Sequence, residues 1–304
     1  MQQLAYWNGN LICDEELTIS VRDVGFVQGV TVAEQLRTFG GQLFRLDEHM
    51  QRLQRSLQII GIDELDLTGL QSQAVAMASH NHSLLQPGDD LGLTLFVTPG
   101  PHGPMSCMAD SGPTVGMYTT PVPFHRWSAK YHGGEQLMTA SVRQVPDSCW
   151  PTELKCRSRM HYYLADREVQ QKNPNARALL LDQQGFLSEA STAGVLIYRA
   201  DEGLLAPLPE KVLPSVSVGT VKELAQAAGI SLTHRDLSPD EVRTADEVFL
   251  TSTSPCLLPV VSVDASRIGT GQPGEIFRRL MTAWSDVVGL DIMAQAERFS
   301  SRSC

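Results

Sequence analysis

The chain of 304 residues sets 24 Lys and Arg against 34 Asp and Glu, a formal net charge of −10, and is 42% hydrophobic. That length and apolar content suit about two domains with a core in each, and the acidic balance argues against nucleic acid as a partner. No apolar run reaches the roughly 20 residues of a membrane span, MQQLAYWNGN lacks the basic-then-apolar start of a signal peptide, and six scattered cysteines without a CxxC pair imply reduced thiols, so a cytoplasmic protein with no metal site is expected.

Taken in order, residues 4 to 12 and 17 to 21 read as short strands around a turn at Asn8, Gly9 and Asn10. Val32 to Phe39 alternates as a strand, Gly40 and Gly41 turn it, Leu43 to Leu46 pairs back, and Asp47 is placed to cap a helix. The apolar face of that helix is Met50, Leu53, Leu57 and Ile60. Arg52 lies beside that stripe rather than opposite it, where a side chain can reach inward; a solvated helix arginine such as Arg55 is the competing assignment. A second helix spans Leu70 to His80, residues 91 to 98 alternate as a strand, and Pro99 to Met105 form a Gly/Pro loop. Met117 to Val122 is a further strand, and residues 123 to 127 continue a stiff connector. The expected division is therefore an N-terminal α/β domain over 1–122, a linker over 123–127 and a C-terminal domain over 128–304.

In the second part, residues 136 to 143 read as a strand, followed by an irregular stretch with Pro146 and Pro151 and then Lys155. Ser158 to Gln171 suits a helix with Met160, Tyr163, Leu164 and Val169 on its apolar side, stopped by Pro174. ARALLLD, FLSEAS and AGVLIYR are three closely spaced strands, most simply an antiparallel meander, with Glu189 in the middle one. Pro214 opens a helix bearing Val221, Leu224, Ala225 and Ala228 inward and ended by Gly229. Ser215, Val216 and Ser217 at its N-terminus serve equally as ordinary caps or as donors to an anion. EVFLTSTSPCLLPVVSV gives two strands around a hydroxyl-rich turn, Thr251 to Ser254. Residues 269 to 274, GTGQPG, match a dinucleotide fingerprint, but no βαβ unit can follow them, so a loop before a terminal helix is expected.

Two residues carry chemistry by their settings. Lys155 follows an extended, proline-containing segment and precedes a helix, and Glu189 puts a charge in a strand that has little need of one. A lysine able to form a Schiff base and a buried carboxylate able to keep a pyridine nitrogen protonated are the two groups that pyridoxal 5′-phosphate (PLP) chemistry needs most.

With FRLDEHMQRL, LKCRSRM, GFLSEAS, VLPSVSVGTV and ADEVFLTSTSPCLLPVVSVD in this order, the chain resembles the class IV, fold-type IV PLP enzymes over about residues 4 to 290. These comprise the branched-chain aminotransferases, D-amino-acid aminotransferases and 4-amino-4-deoxychorismate lyases. The resemblance implies a two-domain mixed α/β fold, with a smaller N-terminal α/β domain and a larger C-terminal domain built on a mainly antiparallel, barrel-like sheet. It implies that Lys155 forms the internal aldimine, that Glu189 pairs with the pyridine nitrogen, and that Arg52, Val216, Ser217, Ser252 and Thr253 hold the phosphate. It further implies a homodimer acting on an amino acid and a 2-oxo acid. An aminodeoxychorismate lyase that eliminates pyruvate, or a PLP-binding protein without turnover, are the alternatives. The substrate signatures depart from the pattern: Ala33 stands where branched-chain enzymes have an aromatic residue, and Pro99 to His102 stand where D-amino-acid enzymes carry an Arg-x-His carboxylate trap. Arg37, His102 and Arg159, with His125 near by in the connector, are the candidate substrate contacts.

Overall fold

Residues 2–101 and 112–302 are described by the computed structural model. The chain divides into two compact units, Met1–Val122 with Leu154–Ser158, and Pro123–Glu153 with Arg159–Cys304. His102, one of the candidate substrate contacts, lies outside the described residues.

In the first unit six strands form one sheet: β1 (Leu4–Trp7), β2 (Asn10–Cys13), β3 (Val32–Phe39), β4 (Gln42–Leu43), β5 (Leu91–Thr98) and β6 (Thr114–Pro121), in the order β2-β1-β6-β5-β3-β4. Every neighbouring pair is antiparallel. Helices α1 (Val24–Val27), α2 (Leu46–Ile59) and α3 (Leu67–His82) complete the unit. Its core joins Val32 and Leu36 of β3 to Met50, Leu53 and Leu57 of α2 and to Leu70, Ala74 and Met77 of α3, the spacings that put one face of each element inward. The hairpin expected at the N-terminus is β1–β2, but residues 17 to 21 form no strand. Asp14–Glu16 turn as a 3₁₀ segment instead, and the residues after them lie mostly exposed, where a strand would gain no partner. The turn at Gly40 and Gly41 is held by Asp90, whose carboxylate accepts from both glycine N–H groups at 3.1 Å and from the Thr38 hydroxyl at 2.6 Å. α2 begins two residues earlier than a cap at Asp47 would place it. Arg45 enters in the left-handed conformation with no side-chain cap, and Asp47 sits in the first turn, where its charge favours the helix dipole.

Residues 154–158 pack with this unit although they come late in the sequence. They run antiparallel to the start of β3: the Ala33 N–H donates to the Lys155 carbonyl at 3.0 Å, and the Arg157 N–H to the Thr31 carbonyl at 2.7 Å.

The second unit holds a nine-stranded sheet of β7 (Glu135–Thr139), β8 (Ala176–Leu181), β9 (Leu187–Ala190), β10 (Gly194–Arg199), β11 (Gly203–Ala206), β12 (Leu232–His234), β13 (Glu247–Ser252), β14 (Cys256–Val263) and β15 (Ser266–Arg267). Its path is β12-β11-β10-β13-β14-β7-β8-β9, with β15 on β14. The pairings are antiparallel except β11–β12, β14–β7 and β7–β8, giving the curled, mainly antiparallel sheet of a mixed α/β fold. Helices α4 (Lys130–Gly133), α5 (Met160–Lys172), α6 (Val216–Ala227), α7 (Pro239–Arg243), α8 (Glu275–Val288) and α9 (Ile292–Arg298) accompany it.

Three expectations change here. The meander breaks after β9: β10 pairs with β11 and β13, and meets β9 only at the Ala190–Ala193 bridge, so β9 ends the sheet path. The inward face of α5 is also rotated. Ala165 and Val169 are buried with Tyr162 packed beside them, while Met160, Tyr163 and Leu164 are exposed. Small Ala165 lets the helix approach β8, and Asp166 ties it down by accepting from the Ala178 N–H at 3.0 Å and the Ser191 hydroxyl at 2.7 Å. Finally, the strand expected over 136 to 143 ends at Thr139. The GTGQPG turn does precede a helix, and the start of that helix is filled by a carboxylate of the chain itself. Glu247 accepts from the Ile276 and Phe277 N–H groups at 2.8 and 3.0 Å, which occupies the place a nucleotide phosphate would need. A Cβ at Gly274 would fall 2.1 Å from the Glu247 carboxyl carbon.

Candidate active site

The chemistry-bearing residues of the first unit sit along one edge of α2. His49, Arg52 and Ser56 recur at the i, i+3, i+7 spacing of a single helix face and are buried beside the apolar stripe. They face β3, where the period of two that points Val32 and Leu36 into the core also points Glu34 inward. Arg52 meets Glu34 side-on, with Nε 2.8 Å from Oε1 and Nη2 2.6 Å from Oε2, and His49 Nδ1 lies 2.7 Å from the same Oε2. Glu34, His49 and Arg52 are 1%, 2% and 3% exposed. Burial pushes the Glu34 carboxyl upward, but the Arg52 guanidinium, with His49 and the Lys155 charge, outweighs it and holds the pKa at about 2. Burial pushes the His49 imidazole below its usual range against the pull of Glu34. The imidazole is therefore neutral, and the contact assigns its proton to Nδ1, donating to the carboxylate.

Lys155 is half-buried and its backbone is fixed on both sides. Its N–H donates to Ser56 Oγ at 3.1 Å, and its carbonyl accepts from Ala33 of β3. Arg37, on the opposite face of β3 from Glu34, is buried with its guanidinium 4.0 Å over the Phe39 ring and its Nε donating to the Thr38 carbonyl at 3.2 Å.

The second unit carries Glu189 in β9, buried at 6% exposure. Three donors converge on its carboxylate: the Tyr162 hydroxyl at 2.7 Å and the Gln144 amide at 2.9 Å on Oε2, and the Leu213 N–H at 3.1 Å on Oε1. Burial, then the negative charge of Glu189, pushes the Tyr162 phenol well above its usual range, so it stays a donor. Arg159 is half-buried at the N-cap of α5, and its charge adds to burial in pushing the nearby His161 imidazole down.

Two further stretches of this unit meet around Gly194. Ser215 caps α6 by accepting from the Val218 N–H at 3.3 Å, which leaves Val216 and Ser217 as the first helical residues. Gly194 pairs with Thr251 of β13, and a Cβ there would lie 3.1 Å from Val218 and 3.5 Å from Thr251. The close approach brings the start of α6 and the end of β13 together, so Ser217, Ser252 and Thr253 belong to one neighbourhood. The hairpin beyond is stiff. Buried Cys256 adopts φ +62°, the Thr251 hydroxyl donates to the Cys256 carbonyl at 2.8 Å, and the Tyr131 hydroxyl donates to the Pro255 carbonyl at 2.8 Å.

The structure thus gathers Arg52 and Lys155 in one unit and Glu189, Val216, Ser217, Ser252 and Thr253 in the other. Sequence reasoning passed over Glu34, His49, Gln144 and Tyr162. An acid at an inward position of an alternating strand, opposite a His and an Arg three apart on a helix, was a usable signal for the first pair. Gln144 and Tyr162 had none, since only packing of α5 brings them to Glu189.

The sequence profile of the amino-transferase class IV family matches residues 31–263. A D-alanine aminotransferase of Bacillus licheniformis is 30% identical over 282 residues, covering 91% of this chain and 94% of that protein. A branched-chain-amino-acid aminotransferase of Escherichia coli K12 is 26% identical over 297 residues, covering 92% and 91%. Among solved structures, the Escherichia coli branched-chain amino acid aminotransferase superposes with a TM-score of 0.84 at 22% identity, over 95% of each chain. A T.th. branched-chain enzyme, solved with pyridoxamine 5′-phosphate, gives 0.82 at 22%, again over 95% of each. The chain belongs to the class IV aminotransferases. It is a transaminase of that family, and the aminotransferase names of its relatives favour amino-group transfer over the lyase alternative. No helix of the described residues is long and apolar enough to cross a membrane, and among those residues no cluster of His, Cys, Asp or Glu could hold a metal ion.

Proposed function

We propose that the enzyme uses PLP to move an amino group between an amino acid and a 2-oxo acid, with Lys155 as its catalytic residue and Arg52, Glu189, Val216, Ser217, Ser252 and Thr253 holding the cofactor. The observation that carries this reading is the Glu189 carboxylate, buried and accepting from the Tyr162 hydroxyl, the Gln144 amide and the Leu213 N–H, which fix its two oxygens in place. The donor set suits the group: a half-buried primary amine, a buried carboxylate for a ring nitrogen, a buried guanidinium, and a hydroxyl-bearing helix start for a phosphate.

Bound, the cofactor would supply an aldehyde that takes up the amino group and a protonated ring that spreads the negative charge developing at the substrate Cα. The side chains of the chain do the rest. The Lys155 amine moves the proton at the substrate Cα, with its backbone pinned by Ser56 and Ala33 so that the amine is presented from one direction. Glu189 holds the proton on the ring nitrogen, and Tyr162 and Gln144 hold Glu189. Arg37 and Arg159 are the proposed contacts to the substrate carboxylate. A homodimer in the cytoplasm completes the proposal.

The test is a panel of L- and D-amino acids and simple amines with a 2-oxo acid acceptor, followed through the cofactor absorbance. At least one amino acid should discharge the band and the 2-oxo acid should restore it. Pyruvate released from aminodeoxychorismate without an acceptor would replace this proposal with the lyase, and a borohydride-reducible cofactor bond in Lys155→Ala would unseat Lys155.

A further inference from the structure

A buried ion pair is an expensive way to hold a helix on a sheet. The desolvation of two charges offsets much of their attraction, and apolar residues of the same volume commonly pack there as well or better. Glu34 nevertheless stands at a core position of β3 between Val32 and Leu36, and α2 answers it with two polar residues, His49 and Arg52. The arrangement is directional. Glu34 takes the side-on edge of the guanidinium through Nε and Nη2, and its Oε2 also receives the His49 Nδ1 proton, which fixes the carboxylate plane. A guanidinium gripped on that edge can turn only its end-on edge, Nη1 with Nη2, toward a second anion.

We propose that Glu34 and His49 are positioning residues for the phosphate of the cofactor, acting through Arg52 by fixing which edge of its guanidinium the phosphate meets. The inference rests on the reading that Arg52 holds that phosphate. Because Glu34 cancels the charge of Arg52, the phosphate is recognised here by aimed hydrogen bonds more than by net charge, and aim is what loss of Glu34 destroys.

The experiment compares dissociation constants of the full-length protein for pyridoxal 5′-phosphate and for pyridoxal, which shares everything but the phosphate. The readout is their ratio, the pyridoxal constant divided by the pyridoxal 5′-phosphate constant, which measures the preference for the phosphate. Glu34→Gln should lower the ratio about tenfold or more, the worth of a charge-assisted hydrogen bond, while the pyridoxal constant stays unchanged. His49→Leu should lower it by less, and His49→Asn, which offers an amide N–H in place of Nδ1–H, should restore it. If Glu34→Gln does not fold, the two His49 variants decide the matter alone. A ratio unmoved by Glu34→Gln or His49→Leu, or both ligands weakened alike, would mean the cluster is purely structural and overturn the proposal. Arg52→Lys separates the two layers. If it too leaves the ratio unchanged, Arg52 is not the phosphate ligand and the underlying reading fails; if it lowers the ratio while Glu34→Gln does not, only the positioning role fails.

Discussion

Glu34 and Glu189 are both buried carboxylates on inward positions of strands, yet the two units supply them with different donors. Glu34 receives a guanidinium, so the pair is close to neutral and its pKa falls to about 2. Glu189 accepts from a phenol, a side-chain amide and a backbone N–H drawn from three separate segments of its unit. The difference lies in direction: the guanidinium at Glu34 is gripped along one edge by two aimed bonds from a single side chain, whereas the bonds to Glu189 come from three segments and fix the carboxylate itself.

The contrast can be broken most severely at Glu189. Glu189→Gln keeps the shape and removes the field, and should lower the transamination rate on the order of a thousandfold or more while cofactor affinity changes far less, measured by stopped-flow half-reaction and by cofactor titration. Arg52→Met attacks the other arrangement. It strands a buried carboxylate and should cost about 3 kcal/mol of stability in denaturant titration, with Glu34→Gln added in the same chain recovering part of the loss.

Acid sharpens the comparison. The pKa of Glu34 is depressed from its ordinary 4.5 to about 2, so its contribution is fully present above pH 4.5 and is lost as pH falls toward 2, an effect on the order of 3 kcal/mol. The His49 imidazole is also depressed, and the unfolded chain takes up its proton first, so loss from that residue begins below its ordinary 6.5. Melting temperature against pH should therefore decline in two stages, and His49→Asn should remove the upper one. The smallest effect is expected from Tyr162→Phe, which withdraws the phenol that donates to Glu189. It should cost about 1 kcal/mol of stability, and it should lower kcat more than it raises the cofactor dissociation constant.

Much of the fold was legible because hydrophobic period is a local property. Val32–Phe39 and Leu91–Thr98 announce themselves as strands, and α2 and α6 bury most of the apolar residues their spacing selects. The errors share a cause. The face of α5 and the partner of β10 depend on what packs against them: Ala165 and Asp166 set the helix on β8, and β13 intercepts β10 from fifty residues away in the chain. At the candidate site, Lys155 and Glu189 stood out because each is a charge in a setting that does not need one, and Arg52 because it flanks an apolar stripe.

The sequence by itself determined the family and the class of reaction, since motif order and residue chemistry are written along the chain. Only the tertiary structure decided what holds the proposed site residues. That the Lys155 backbone is fixed by Ser56 and Ala33, that Arg52 is gripped by Glu34 beside His49, and that Tyr162 and Gln144 donate to Glu189 all follow from contacts between residues distant in sequence. Hydrogen-bond direction and burial, unlike residue type and spacing, exist only once the chain has closed on itself.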